Sequence, residues 1–163
     1  MTKRALATLL MLFGLPAHAE DRAMAKADCE AVMNLALPFA EEMLQEHGEF
    51  FPFGATMNAK GEINHIGGYD GREHPPSADI IKLLKDGFRA RAKNGEVKAT
   101  ALVYDVRVIL PGSGEESDAV AVSLNHRANY SVIVLFPYRI DGGKVEFGEA
   151  FAQEGEADIF ASK

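Results

Sequence analysis

Residues 47–77, HGEFFPFGATMNAKGEINHIGGYDGREHPPS, decide the fold because they hold the end of one helix, a hairpin and the start of another helix. Gly48 can take the left-handed conformation of a helix C-cap, so a first helix is predicted to end at His47. Residues 58–61 match a type I turn closed by a glycine, and the chain is predicted to return as a strand to Tyr69. The strand before the turn shows alternating apolar residues: Phe51, Phe53, Ala55 and Met57.

The end of the same stretch predicts a second helix. Asp70-Gly71 breaks the strand, and residues 74–77, His-Pro-Pro-Ser, supply fixed backbone angles and a capping hydroxyl on Ser77. The helix is predicted over 77–93, since Asn94-Gly95 is a stop signal. Its apolar residues recur at helical spacing and predict a buried face: Ile80, Ile81, Leu84 and Phe88. Its bases complement the helix dipole near the C-terminus: Lys82, Lys85, Arg89, Arg91 and Lys93.

Working backwards, the first helix is predicted from about Asp21 to His47. Pro38 removes a backbone donor in its interior, so a kink or two shorter helices are expected. Cys29 is the only cysteine, which rules out an intramolecular disulfide, and it is predicted to be buried and inert. It belongs to an apolar stripe at three- and four-residue spacing: Ala25, Cys29, Val32, Ala36, Phe39 and Met43.

The second half of the chain predicts strands. Alternating apolar residues over 98–110, 120–124 and 132–138 indicate three antiparallel strands in succession, followed by a short strand or extended piece at 145–147. The order α-β-β-α-β-β-β predicts an α+β fold, because hairpin-linked strands cannot form an all-parallel sheet. We expect one mostly antiparallel sheet of five to six strands, hairpin plus meander, with two helices packed on its apolar side.

The N-terminus has the pattern of a secretory signal. Lys3 and Arg4 precede an apolar run over 5–15, and Ala17-His18-Ala19 fits a signal peptidase site. The run is too short for a membrane span, which needs about 20 residues. We therefore expect a signal peptide over 1–19, a single domain over 20–163, a periplasmic or secreted location, and no membrane insertion after the signal is removed.

Composition limits the partners. Removing residues 1–19 takes away two of the 17 basic residues and none of the 24 acidic ones, which leaves a net charge of −9. Nucleic acid is not expected to bind such a surface. A basic protein or a cationic ligand is a better electrostatic match, although surplus acid more often serves solubility alone.

Two groups of residues are candidates for a site. His65, Asp70, Glu73 and His74 are able to bind a metal or move a proton, although they are spread over a strand and a loop. A polar sheet surface is predicted from residues at strand spacing: Asp105, Arg107, Ser123, Asn125 and Arg127. His126 shares the face of Leu124 by parity. The nucleophile elbow and the phosphate-binding glycine loops do not occur in the sequence.

Several segments resemble those of small bacterial α+β proteins for which no activity is assigned. These segments are His-Gly-Glu-Phe with Pro-Phe-Gly at 47–54, Tyr-Asp-Gly with His-Pro-Pro-Ser at 69–77, Tyr-Asp-Val-Arg at 104–107, and Phe-Gly-Glu with Phe-Ala-Gln at 147–153. The resemblance implies no activity, cofactor or site residue. The element order is also similar to profilin-like and roadblock-like domains, where hairpin and meander share one five-stranded sheet.

These observations predict an exported binding protein without catalytic activity or cofactor, whose partner is another protein or a second copy of itself. One alternative is a small metal-dependent hydrolase built on His65, Asp70 and His74. The other is an acidic inhibitor or immunity-type protein with a basic target.

Overall fold

The structure is a computed structural model that describes residues 17–160, without the side chains of residues 17 and 18. Two helices and seven strands form an α+β fold with one antiparallel sheet, which confirms the predicted class. Their bounds are α1 Ala17–His47, β1 Phe53–Met57, β2 Ile63–Gly67, α2 Ser77–Lys93, β3 Ala99–Ile109, β4 Glu116–His126, β5 Tyr130–Asp141, β6 Lys144–Phe147 and β7 Phe151–Glu154. The predicted signal segment falls largely on residues 1–16, which lie outside the described residues.

The hairpin and the meander form one sheet, as predicted. Its order is β2-β1-β3-β4-β5-β6, and β7 also pairs with β5. Strand β5 has room for two partners because β7 pairs with Val132–Leu135 and β6 with Tyr138–Asp141. The short strand β7 was not predicted, and it raises the number of strands above the expected five to six.

The helices lie on opposite faces of the sheet, so the expectation of one apolar side is wrong. Ala101 and Val103 of β3 pack in the core cluster of α1, whereas Leu102 between them packs in the cluster of α2. Residues 99–103 are all buried. The physical reason is that a central strand with an unbroken apolar run needs cover on both faces.

Helix α1 continues through Pro38, so of the two predicted outcomes the division into two shorter helices is wrong. Pro38 is exposed, while Ala36 and Ala40 on either side are buried and hold the helix against the sheet. Phe39, predicted to be buried, is 39% exposed, because the stripe shifts to other positions in its second half. The buried residues of the helix are Ala25, Cys29, Val32, Ala36, Ala40 and Leu44. Among residues 17–160, no helix is long and apolar enough to cross a membrane.

Cys29 is buried as predicted. Desolvation, with the nearby charges of Asp28 and Glu30, raises the pKa of its thiol to about 12. The reactive thiolate is therefore strongly disfavoured at neutral pH.

The turn chemistry of the opening stretch follows the sequence with one exception. Gly48 and Gly61 have φ of 73° and 86°, as a C-cap and a turn-closing glycine require. The Asn58 side-chain oxygen accepts hydrogen bonds from the backbone N–H groups of Lys60 and Glu62. The expected Ser77 cap is wrong: the N-cap residue of α2 is Pro76, which has no side-chain cap bond.

Candidate functional site

The two histidines of the predicted metal site lie against aromatic rings. His65 is on β2, with its ring centroid 5.6 Å from that of Phe39 and 6.2 Å from that of Phe53. The ring of His74 is 6.4 Å from the ring of Phe51. Both histidines therefore take part in aromatic contacts, His65 on β2 and His74 in the segment before α2.

Asp70 is held by a neighbouring cation. Arg72 donates its Nε–H to Asp70 Oδ2 at 2.8 Å and also pairs with Asp79 at 2.6 Å. The hydrogen bonds from Arg72 lower the pKa of Asp70. Glu73 is exposed. Within the described part of the chain, no group of three or more His, Cys, Asp or Glu residues is placed to hold a metal ion. The four predicted ligands are therefore not assembled into a site.

The predicted polar surface is divided between the two faces of the sheet. Asp105 is opposite Val120 in the β3–β4 register, while Asn125 is opposite Thr100. An offset of five residues puts Asp105 and Asn125 on opposite faces and about 16 Å apart along the strands. Arg107 pairs with Asp118 at 3.1 Å, on the face of Asp105. Asn125 and Arg127 remain together at the other end of the sheet.

Asp105 takes part in a contact across the sheet. Its carboxylate accepts a hydrogen bond of 3.0 Å from the hydroxyl of Tyr138. Desolvation raises the pKa of Asp105, and the Tyr138 hydrogen bond opposes that rise. Desolvation, together with Asp105, also raises the pKa of Tyr138. This pair links β3 to β5, and we assign it a structural role.

The structure brings together three ionisable residues that the sequence did not connect. His126, 3% exposed at the end of β4, lies with Nε2 3.1 Å from Asp28 Oδ2 of α1. Its Nδ1 accepts a hydrogen bond of 3.0 Å from the backbone N–H of Ala128. Since Nδ1 accepts, Nε2 carries the hydrogen and donates it to Asp28. Lys98 Nζ is 2.8 Å from the same carboxylate oxygen.

The charges in this Asp28–Lys98–His126 cluster follow from burial and pairing. Desolvation lowers the pKa of His126, and the Asp28 hydrogen bond only partly opposes it. Desolvation alone would raise the pKa of Asp28, but hydrogen bonds from Lys98 and His126 outweigh it and the pKa is lowered. At neutral pH the cluster is a charged Asp28–Lys98 pair beside a neutral imidazole, which fixes the β4–β5 turn to α1.

Two adjoining depressions lie beside this turn, and we call them together the turn cleft. One has a volume of about 290 Å³ and is lined by Asn125, His126, Arg127, Asn129, Tyr130, Ala157 and Phe160. The other, of about 560 Å³, shares Asn129, Tyr130 and Ala157 with the first. Its further lining residues include Arg22, Ser131, Gln153 and Glu154. Among the candidate residues from the sequence, Asn125 and Arg127 are the two that reach this cleft.

The wall shared by the two depressions contains unusual backbone. Asn129 and Ala157, at φ of 57° and 52°, are the only non-glycine residues with positive φ among residues 17–160. A side chain makes this conformation costly by about 1–2 kcal/mol, less for asparagine. Ala157 is held in place by its N–H, which donates to Ser131 Oγ at 3.1 Å. Strained positions persist where the surrounding contacts fix them, and they concentrate at binding sites.

The sequence alone could not predict which distant residues come together at this cleft. Asp28 and His126 are 98 residues apart, and only the strand parity of His126 with Leu124 indicated a position facing the core. The residues from β7 to Phe160 reach the cleft through the pairing of β7 with β5, which no local pattern predicts.

Comparison with known proteins gives no relative: the chain matches no family model, no curated protein and no solved structure.

Proposed function

We propose that this protein is an exported, non-catalytic binding protein that pairs its β2 edge with an extended segment of another chain. The partner that we propose is a second copy of the same protein. The observation behind this proposal is the position of β2. It is a terminal strand of the sheet, and the partly exposed Phe39 of α1 contacts His65 on it. An open edge of this kind is a template for strand addition.

The hairpin register indicates which backbone groups of β2 are available. Asn58 N–H donates to Glu62 O at 3.0 Å, so these two residues form a hydrogen-bonded pair. Hydrogen-bonded and non-bonded pairs alternate in an antiparallel ladder. Asn64 and Ile66 therefore direct their backbone groups to β1, while those of Ile63, His65 and Gly67 face outwards.

Apolar cover for a partner strand lies on the α1 side. Phe39 is 39% exposed and contacts His65, and Leu35, one helical turn before it, is 38% exposed. Residues four apart in a helix lie on the same face. Together they form a small exposed apolar strip on α1 that reaches the open edge at Phe39, and such strips are a common feature of protein interaction surfaces.

A second copy fits this edge by symmetry. Antiparallel pairing of two β2 strands about His65 sets Ile63 opposite Gly67 of the second copy and satisfies about six outward backbone hydrogen bonds. The symmetry axis is then perpendicular to the sheet, which puts both α1 helices on the same side. Leu35 and Phe39 of each copy would then face those of the other across the axis.

The test is a comparison of two substitutions at one residue. His65→Pro removes an outward N–H without removing a bond to β1, whereas His65→Ala keeps that N–H. We expect the wild-type chain and His65→Ala to sediment as dimers and His65→Pro as a folded monomer, with circular dichroism as the check on folding. A wild-type chain that stays monomeric at about 100 μM, or a dimeric His65→Pro variant, would contradict the pairing of two copies.

The inhibitor or immunity-type alternative uses the same edge with a basic partner. It is favoured because basic residues of α2 form ion pairs with acidic residues of the same chain. These residues are Lys82, Lys85, Arg89 and Arg91. If the wild type is monomeric, a basic partner whose binding weakens with salt and is lost in His65→Pro would support this alternative.

Export is the remaining part of the proposal. Residues 19–24 are exposed and Ala25 is the first buried residue of α1, so cleavage after Ala19 would remove no residue described as buried. N-terminal sequencing of protein from the producing cell should begin at Glu20. Soluble cytoplasmic protein that begins at Met1 would contradict export.

A further inference from the structure

We propose that the turn cleft binds a small hydroxylated monocarboxylate, with Arg127 and Arg22 as partners of its carboxylate. The first observation is a difference between arginines. In residues 17–160, five of them form ion pairs with acids of the chain: Arg72, Arg89, Arg91, Arg107 and Arg139. Arg22 and Arg127 form none within that range, and both line the turn cleft.

This distribution is unexpected from the overall charge. Acidic residues outnumber Lys and Arg by seven in the whole chain, so an arginine has many possible partners. Two arginines without an ion pair at neighbouring depressions leave positive charge and free N–H donors at the cleft. The guanidinium fork matches a carboxylate with two parallel hydrogen bonds, which gives both charge and geometric recognition.

The other lining residues indicate the rest of the ligand. Asn129 and Gln153 carry amides, Ser131 and Tyr130 carry hydroxyls, and such groups exchange hydrogen bonds with ligand hydroxyls. The combined depressions suit a small molecule rather than a polymer. Glu154 lines the larger depression and disfavours a second negative group there, so the predicted ligand is a monoanion.

The walls of the cleft are held by contacts within the chain. The Asp28–Lys98–His126 cluster fixes the β4–β5 turn from behind, and Ser131 Oγ accepts a hydrogen bond from the N–H of Ala157. A preorganised site avoids the cost of ordering side chains and backbone on binding. This inference is separate from the proposed pairing at β2, which lies at the edge of the sheet and shares no residue with the cleft.

The experiment is calorimetric titration of the purified full chain with sodium glucuronate, sodium gluconate, glucose and inorganic phosphate. We expect saturable binding of at least one of the two hydroxy acids and none of glucose. Arg127→Gln should weaken that binding about tenfold or more, the loss of one charged, two-point contact. Arg107→Gln is the matched control, since Arg107 is an exposed arginine away from the cleft, and it should change the affinity less than about twofold.

Three results would overturn the inference: neither hydroxy acid binds, phosphate binds more tightly than both, or Arg127→Gln binds as well as the wild type. The variant His65→Pro separates this inference from the proposed function. It should lose dimerisation and keep the binding of the hydroxy acid, so either claim can fail while the other stands.

Discussion

The two faces of the sheet are covered in different ways. On the face of α1, one continuous apolar core extends from Cys29 and Leu44 in the helix to Tyr138 in β5. On the other face the buried residues fall into two smaller clusters, one centred on Phe88 of α2 and one on Leu135 of β5. Helix length accounts for much of this: at 1.5 Å per residue, 31 residues span about 46 Å and 17 span about 25 Å.

The C-terminal segment, residues 156–160, packs beside α2 on the second face. Ile159 is buried and Phe160 packs on the α2 cluster, while Arg89 donates to the Asp158 carbonyl at 3.0 Å. Lys85 also pairs with Asp158, at 3.1 Å. One face is thus held by apolar packing along a single helix, and the other combines packing with ion pairs to a short segment. The turn cleft lies where that segment meets the β4–β5 turn.

The largest expected effect is on the face of α1. Phe53 is buried in the continuous core, so Phe53→Ala should lower the free energy of unfolding by about 3–5 kcal/mol, through lost burial and a cavity. Phe39→Ala is the control, because Phe39 contacts Phe53 edge to face with ring centroids 4.9 Å apart but is itself 39% exposed. Its cost should stay below about 1.5 kcal/mol.

A denaturant melt measures both variants. A core shared by hairpin and meander predicts one cooperative transition that shifts as a whole. A minor phase that melts alone in Phe53→Ala would mean that the hairpin is a flap on an independent meander.

A smaller effect is expected on the face of α2, at Gly54. A Cβ added there would lie 2.3 Å from Phe88 Cζ and 3.1 Å from the carbonyl oxygen of Ala101. Gly54→Ala must therefore displace the Phe88 ring, and we expect a loss of about 1–3 kcal/mol. Gly67→Ala in the same hairpin is the control, since its added Cβ meets nothing within 4 Å. Equal melting midpoints for the two variants would contradict the close contact of α2 with β1.

Local signals predicted the elements well. The predicted bounds of α2 agree with the structure at both ends, and Asn94-Gly95 accounts for its C-terminal end as a helix stop signal. Gly48 and Gly61 have the predicted left-handed conformation. The apolar alternation of β1 and β3 predicted both of them as strands. The signal at Pro38 left a kink and two shorter helices open, and the burial of Ala36 and Ala40 on either side keeps the helix continuous.

The face occupied by each helix could not be predicted, because an unbroken apolar run such as 99–103 does not say which helix covers which side. The site was harder still. Asn125 and Arg127 were predicted as binding candidates from strand parity. Their grouping with Asp105 was wrong, because it placed on one face of the sheet residues that point to opposite faces. Asp28 and Lys98 gave no signal, since an ion pair between distant segments leaves no local pattern.

The Asp28–Lys98–His126 cluster on the α1 face predicts a pH effect. The pKa of His126 is lowered from 6.5 in the folded state, so the unfolded chain binds the proton more tightly. Stability from this group is present above pH 6.5 and is lost as pH falls through the folded pKa. Asp28, lowered from 3.8, adds a second loss below that value.

Urea melts between pH 7.5 and 5 measure the first of these losses. The wild-type free energy of unfolding should decrease with pH in this range, and His126→Gln should reduce the decrease. His47→Gln, at an exposed histidine, is the control and should leave the wild-type slope unchanged. At pH 7, Asp28→Asn should cost about 1–2 kcal/mol, because Lys98 loses its charged partner. A slope in His126→Gln equal to that of the wild type would remove His126 from the explanation.

The smallest expected effect is at the ion pairs of the second face. Arg89 pairs with the Asp158 carboxylate at 2.5 Å, but its side chain is 41% exposed, so solvent screens much of this attraction. Arg89→Gln should therefore cost no more than about 0.5–1 kcal/mol in global stability. The loss should be local: Lys85 retains Asp158, while both contacts of Arg89 with Asp158 are gone.

Hydrogen exchange resolves this difference, because local opening and global unfolding expose different amides. Amide protection at Ala157 should fall in Arg89→Gln, while protection in β3 and β4 stays at the wild-type level. Lys82→Gln is the control, since its pair with Asp86 lies within α2 and does not touch the segment. If Arg89→Gln instead lowered protection throughout the sheet, the ion pairs would be holding the second face as a whole. The contrast between the α1 face, held by apolar packing, and the α2 face, where ion pairs hold only a short segment, would then be wrong.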